Sequence, residues 1–255
     1  MGSALAIAAA KSGAELLLCN RTPEKAEILA QQLNAKTATA QEIAQTCDYI
    51  FLGVKPQMMG AVLSSLAPIF QNRKTPFVLV SIAAGLTMDT LQKMAGGNYP
   101  IIRMMPNTPV AVGSGVILFD ATDNVTPEAI EGFYNAMQHA GLVDQIPEKL
   151  IDAGSAVSGC GPAFVSMFLE ALADGGVSCG LPRDKAIWYA AFTLIGTAQL
   201  LLESGKHPGQ LKDEVCSPGG STIQGVKALE DGNLRATVMT AIQAAHRRTQ
   251  ELGKT

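Results

Sequence analysis
The sequence predicts an α/β half followed by an all-helical half. Three observations predict it: short apolar β-type runs alternate with amphipathic helical stretches up to about Gln145, the β signals stop after Pro147, and the remainder of the chain is long, Ala-rich and apolar at helical spacing. With 255 residues, 47% of them hydrophobic, the chain has side chains enough for a core in each half. The expected border therefore divides 1–147 from 148–255.

The β-type runs are Glu15 to Cys19, Tyr49 to Gly53, Phe77 to Ser81, Ile101 to Met105, Val116 to Phe119 and Leu142 to Gln145. Between them lie helical candidates at Pro23 to Leu33, Gln57 to Phe70, Met88 to Met94 and Pro127 to His139. Thr22-Pro23-Glu24 and Thr126-Pro127-Glu128 are start signals, a hydroxyl cap followed by a proline whose missing N–H has no intrahelical use. Such βαβ alternation reads as a Rossmann-like, doubly wound sheet. The second half offers Ile151 to Val157, Pro162 to Val177, Arg183 to Glu203, Ser221 to Glu230 and Leu234 to Glu251, with a stop and restart at Gly180-Leu181-Pro182. Two of these helices, Pro162 to Gly180 and Arg183 to Leu202, carry too few charges for one solvated face, so a partner subunit is expected to cover them.

Composition narrows the function. A formal charge of −3 gives no electrostatic footprint for nucleic acid or an anionic membrane, which leaves a small-molecule partner. No apolar run is expected to reach the roughly 18 residues of a membrane span, and no secretory leader is read at the N-terminus, so the expected location is cytoplasmic. Cys19, Cys47, Cys160, Cys179 and Cys216 are scattered without a C-x-x-C pair and read as buried, reduced thiols. With only three dispersed histidines, no metal site is expected.

The cofactor signals lie at strand ends, where open α/β sheets bind ligands. Met1-Gly2-Ser3-Ala4 reads as the last glycine of a phosphate turn running into a first helix, Ser3 to Lys11. The second strand ends in Asn20-Arg21-Thr22, with no carboxylate for a ribose 2′-hydroxyl; Arg21, with Lys25 nearby, suits the 2′-phosphate of NADP. Val54-Lys55-Pro56, Ser81-Ile82-Ala83-Ala84-Gly85 and Met105-Pro106-Asn107-Thr108-Pro109 end three more strands. Their prolines stiffen loops on which a nicotinamide could be laid. Gly2, Asn20, Arg21, Thr22, Val54, Lys55, Pro56, Ala83 and Asn107 are the expected cofactor-binding residues, for NADPH with NADH possible.

The most specific stretch is Asp213 to Ile223, in which Cys216-Ser217-Pro218-Gly219-Gly220-Ser221-Thr222 precedes a helix. Proline and two glycines before a helix start leave free N–H groups, here surrounded by hydroxyls, and the helix dipole favours an anion. A plain Pro/Gly cap would account for Pro218 and Gly219 but not for the hydroxyls. Val215, Ser217, Gly219, Gly220, Ser221 and Thr222 are the expected substrate-binding residues.

On these motifs, with Ser158-Gly159-Cys160-Gly161-Pro162-Ala163 and His207-Pro208-Gly209-Gln210-Leu211-Lys212-Asp213, the whole chain resembles pyrroline-5-carboxylate reductases. The resemblance implies a Rossmann-like domain in a 6-phosphogluconate dehydrogenase-like arrangement, followed by an all-α dimerisation domain. It implies hydride transfer from NADPH to the C=N carbon of (S)-1-pyrroline-5-carboxylate, giving L-proline, in a homodimer or larger homo-oligomer paired through the helical half. Gly220, Ser221 and Thr222 then hold the substrate carboxylate and ring nitrogen, with the Thr222 hydroxyl on the nitrogen as the catalytic contact, while Asn107 and Lys55 serve the nicotinamide-ribose end. No general acid is fixed by a motif. Two departures stand out: Ser221 occupies a place where Thr or Ala is common, and the first strand with the first two phosphate-loop glycines is missing, so the chain is expected to start about ten residues late. The rivals are a β-hydroxyacid dehydrogenase-like enzyme, whose catalytic lysine would have to be Lys185, and a Rossmann scaffold that no longer binds its cofactor.

Overall fold
The computed structural model describes residues 1–253 and divides into two compact units, one comprising Met1–Cys160 with the chain from Ala245 on, the other Gly161–Ala244. The first unit opens with helix α1 (Gly2–Lys11), followed by β1 (Leu17–Leu18), α2 (Pro23–Leu33), β2 (Lys36–Thr37), α3 (Ala40–Thr46), β3 (Tyr49–Leu52), α4 (Pro56–Asn72), β4 (Val78–Ser81) and α5 (Met88–Ala95). Then come β5 (Ile101–Pro106), a 3-10 turn at Thr108–Val112, β6 (Gly115–Ala121), α6 (Pro127–Met137), β7 (Gly141–Gln145) and α7 (Glu148–Ser158).

Helices α2 and α6 both start where expected, but only one hydroxyl caps: Thr22 makes no side-chain bond at the head of α2. Thr126 accepts a hydrogen bond from the Ala129 N–H at the head of α6, and Pro23 and Pro127 occupy first-turn positions where no donor is lost. The sequence-based reading omits α3 and β2. Yet α3 begins with a full capping box, Thr39 accepting from the Glu42 N–H while the Glu42 carboxylate accepts from the Thr39 N–H at 2.7 Å. These bonds favour the ionised carboxylate and hold Glu42 below the usual glutamate range.

The strands form two sheets. A five-stranded sheet runs in the order β3-β4-β5-β6-β7, parallel except for the antiparallel β5–β6 pair, and β1 pairs in parallel with β2 alone. One face of the larger sheet carries Met59, Leu63, Leu66 and Phe70 of α4 with Leu91 of α5; the other carries Leu5, Ala8 and Ala9 of α1 with Phe133 and Met137 of α6. Burial on both faces is why β4 and β5 are apolar at nearly every position.

The second unit contains α8 (Gly161–Ser178), α9 (Arg183–Ser204), α10 (Pro208–Glu214) and α11 (Ser221–Asp231), and α12 (Leu234–Leu252) starts in it. Gly180, at φ 99°, turns the chain between α8 and α9. α10 is a further element the periodicity does not reveal, although His207-Pro208 marks its start. This unit buries little: its fully buried apolar residues are Ala173, Ala186 and Ala190.

Two expectations need correction. The stretches Glu148–Ser178 and Arg183–Ser204 are long and apolar enough to cross a membrane by length and composition, with mean hydropathy of 1.4 and 1.3. The cysteines are free, but Cys19 and Cys179 are exposed and the other three only partly covered, so none is a core residue; they lie in loops or near helix ends.

Candidate functional site
The carboxyl ends of β3, β4 and β5 lie on one edge of the parallel part of the sheet and bring together three of the expected loops. Val54 is half-buried against the core, Lys55 is the exposed residue preceding α4, and Pro56 is the first residue of that helix, where no donor is lost. After β4, Ala83 is buried and its N–H donates to the Ser81 hydroxyl at 3.3 Å, which fixes the path of the Ser81–Gly85 loop. After β5 comes Asn107, only 7% exposed. Its amide donates to the Ser158 carbonyl at the end of α7 at 3.0 Å, and its side-chain oxygen accepts the Val116 N–H at 2.9 Å. Asn107 is thus a clamp within its own unit, and its side chain is already engaged before any cofactor is considered.

β1 belongs to the smaller sheet and ends in a separate group. The Asn20 side chain accepts the Thr22 N–H at 3.0 Å, closing a tight turn that presents Arg21 to solvent. Arg21 makes no ion pair among the described residues. Gly2 opens α1, whose first N–H groups lack intrahelical partners, and no atom lies within 4 Å of where a Cβ would stand. These residues fit a pyrophosphate and a 2′-phosphate chemically: free backbone donors at a helix start and an unpaired guanidinium.

The substrate candidates lie in the helical unit. Val215 closes α10 and is exposed; Gly219 turns the chain at φ 70°, a conformation most side chains resist, and Gly220 precedes α11. The Gly220 N–H bonds the Ser217 carbonyl at 3.0 Å, and a Cβ on Gly220 would stand 2.5 Å from the Ser217 hydroxyl oxygen. The turn therefore requires glycine at Gly219, while a side chain at Gly220 would first have to displace the Ser217 hydroxyl. No side chain caps α11, so the N–H groups of Ser221, Thr222 and Ile223 point out of the helix start beside the exposed Ser221 and Thr222 hydroxyls. Nearby charges are already paired: Lys212 with Asp213 at 2.9 Å, which pushes the Lys212 ammonium up, and Lys206 with Glu214 at 2.7 Å. Lys185, which a hydroxyacid dehydrogenase would need as its catalytic lysine, is exposed on α9 next to Trp188 and Tyr189.

Sequence reasoning missed Arg103. It sits in the middle of β5, 2% exposed, and reaches Glu148 at 3.3 Å and Asp152 at 2.5 Å on α7. Two signals mark it: a lone cation within Ile101-Ile102-Arg103-Met104-Met105, and two carboxylates spaced four apart on one helix face.

Known proteins resemble this chain over nearly its whole length. Residues 148–252 match the family model described as pyrroline-5-carboxylate reductase dimerisation, and residues 1–85 match the one described as NADP oxidoreductase coenzyme F420-dependent. The pyrroline-5-carboxylate reductase of Synechocystis is 45% identical over 84% of this chain and 78% of its own length; that of Escherichia coli is 41% identical over 91% and 86%. Among solved structures, the Plasmodium falciparum pyrroline carboxylate reductase with NADP bound aligns with a TM-score of 0.86 at 32% identity, covering 99% of this chain and 95% of that one. A pyrroline-5-carboxylate reductase from Coxiella burnetii aligns at 0.90 and 30% identity, covering 100% and 95%.

Proposed function
The chain belongs to the pyrroline-5-carboxylate reductase family, and from that premise we propose that it reduces (S)-1-pyrroline-5-carboxylate to L-proline with NADPH, NADH being an alternative, as a cytoplasmic homo-oligomer paired through its helical unit. NADPH, when bound, supplies the hydride that adds to the C=N carbon. The protein's own task is to position, orient and shield, since little covalent chemistry is asked of it.

The observation that carries the reading is the turn before α11. Gly219 and Gly220 bring backbone N–H groups to the surface at the positive end of a helix, a match for a small carboxylate. Ser217 and Ser221 add hydroxyls around them, and Val215 offers an exposed apolar side chain to a ring. The Thr222 hydroxyl can bond the ring nitrogen as its charge changes, which is the contact that strengthens toward the transition state. In the other unit Arg21, with Asn20 and Thr22 shaping its turn, holds the 2′-phosphate, and Gly2 faces the pyrophosphate. Val54, Lys55, Pro56, Ala83 and Asn107 shape the nicotinamide-ribose end, Asn107 chiefly by holding its loop.

The test is direct. NADPH mixed with the chain should lose its nicotinamide absorbance only after the imine is added, with an equal amount of proline formed. Cofactor consumption that ignores the imine, or an imine that leaves NADPH untouched, would sink the proposal.

A further inference from the structure
Arg103 stands where β5 is otherwise apolar and buried at every position. Desolvating a guanidinium is expensive, and an apolar side chain of similar volume would satisfy the core at least as well, so the charge is best understood through what it fixes. Its Nε has no partner, while its two terminal nitrogens are both committed to α7. Asp120, directly across the β5–β6 ladder from Arg103, accepts the Glu148 N–H at 2.6 Å and so caps the same helix from below.

Two of the cofactor-edge loops hang from this cluster. Glu148 Oε1, which accepts from Arg103, also accepts the Met88 N–H at 2.7 Å, the first amide of α5, immediately after the loop that contains Ala83 and Gly85. Asp152 anchors the middle of α7, and the far end of that helix delivers the Ser158 carbonyl to Asn107, which in turn holds Val116. An eleven-residue helix is a rigid strut of about 16 Å. One guanidinium therefore sets both the start of α5 and, through the strut, the loop after β5.

We propose that Arg103 is a positioning residue for hydride transfer: through Glu148 and Asp152 it holds the Ser81–Gly85 loop and the Asn107 loop at the height the nicotinamide requires. The proposal rests on the reductase reading, deepens it, and leaves the binding of the phosphates to other residues.

Asp152→Asn is the variant of choice, since it keeps shape and removes charge. In the chain without cofactor, amide hydrogen exchange at Val116, held by Asn107 and lying on a different element from Asp152, should quicken about tenfold. In the loaded enzyme NADPH affinity should stay within about twofold, because the phosphate contacts are intact, while kcat falls about tenfold and the deuterium isotope effect from labelled NADPH rises. Pairing it with Asn107→Ser should give far less than the product of the two single effects on kcat. If Asp152→Asn does not fold, Glu148→Gln, which leaves the Asp152 pair standing, is read at the other loop: exchange of the Met88 amide should quicken, with the same fall in kcat. Wild-type exchange at Val116 and wild-type kcat, in a variant that merely melts earlier, would overturn the proposal. The exchange measurement is independent of the reaction, so a wild-type chain inactive toward the imine would count against the functional reading alone.

Discussion
The two units of this chain solve the burial problem differently. The α/β unit covers its sheet on both faces with its own helices, and residues such as Phe70, Phe119, Phe133 and Met104 are wholly inside it. The helical unit buries three alanines and leaves Trp188 64%, Phe192 62% and Leu202 82% exposed on α9. Its helices are nevertheless long and regular. Apolar surface on that scale is a poor end point in water, and residues 148–252 match a dimerisation family, which is consistent with a second copy as its cover. The first unit is closed by its own helices, the second matches a dimerisation family, and the candidate cofactor residues lie in the first while the candidate substrate turn lies in the second.

The largest effect should come from charging the interface. Phe192→Asp places a carboxylate where the account expects a partner, and in a two-fold interface the change enters twice. Losing about 2 kcal/mol of burial per copy raises the dissociation constant roughly 10³-fold. Sedimentation equilibrium should show monomers at micromolar concentrations; an unchanged oligomer would mean α9 faces solvent after all.

In the self-sufficient unit, Arg103→Ala leaves Glu148 and Asp152 without their cation and opens a cavity in β5. A loss of about 3 kcal/mol is expected, at the lower end for a broken buried pair because both carboxylates keep some solvent. Chemical denaturation should show it in the sheet's transition. A stability within about 0.5 kcal/mol of wild type, the scatter of neutral surface changes, would contradict the buried-cluster account.

Thr222→Ala tests the cradle. Removing one preorganised donor at the reacting nitrogen should lower kcat/KM by roughly 10²-fold, about 2.7 kcal/mol, with Thr222→Ser retaining most of the activity. Should the alanine variant keep pace with wild type, the hydroxyl has no part in the reaction. Arg21→Ala should change cofactor choice alone: a loss on the order of 1.5 to 3 kcal/mol for NADPH and little for NADH. Steady-state kinetics with both cofactors decides it, an unmoved ratio marking Arg21 as a surface residue only.

How much of the molecule was legible in the sequence differs between the same two regions. In the α/β half the long runs at Phe77 to Ser81 and Ile101 to Met105 and the Thr-Pro caps identify strands and helices because local pattern and burial agree there. The short β2 and the seven-residue α3 are decided by neighbours more than by periodicity, although Thr39 and Glu42 carried a readable capping signal. Arg103 was hidden for the opposite reason. Its partners lie 45 and 49 residues away, a pairing that no local window contains. The Asn107 clamp is equally non-local: the motif marks the residue but not that its side chain is engaged by Ser158 and Val116. In the helical half the excess of apolar residues was plain, and so was the turn before α11, because a Pro-Gly-Gly turn before a helix is a local feature.

The most direct test of the division itself is amide hydrogen exchange measured across a dilution series. Amides of β4 and β5 should keep the same protection at every concentration, while those around Trp188, Phe192 and Ile195 in α9 should lose protection as the chain is diluted through its dissociation constant. Protection in α9 that is high and independent of concentration, in a chain shown by sedimentation to be monomeric, would contradict the claim that this unit is completed by a second copy.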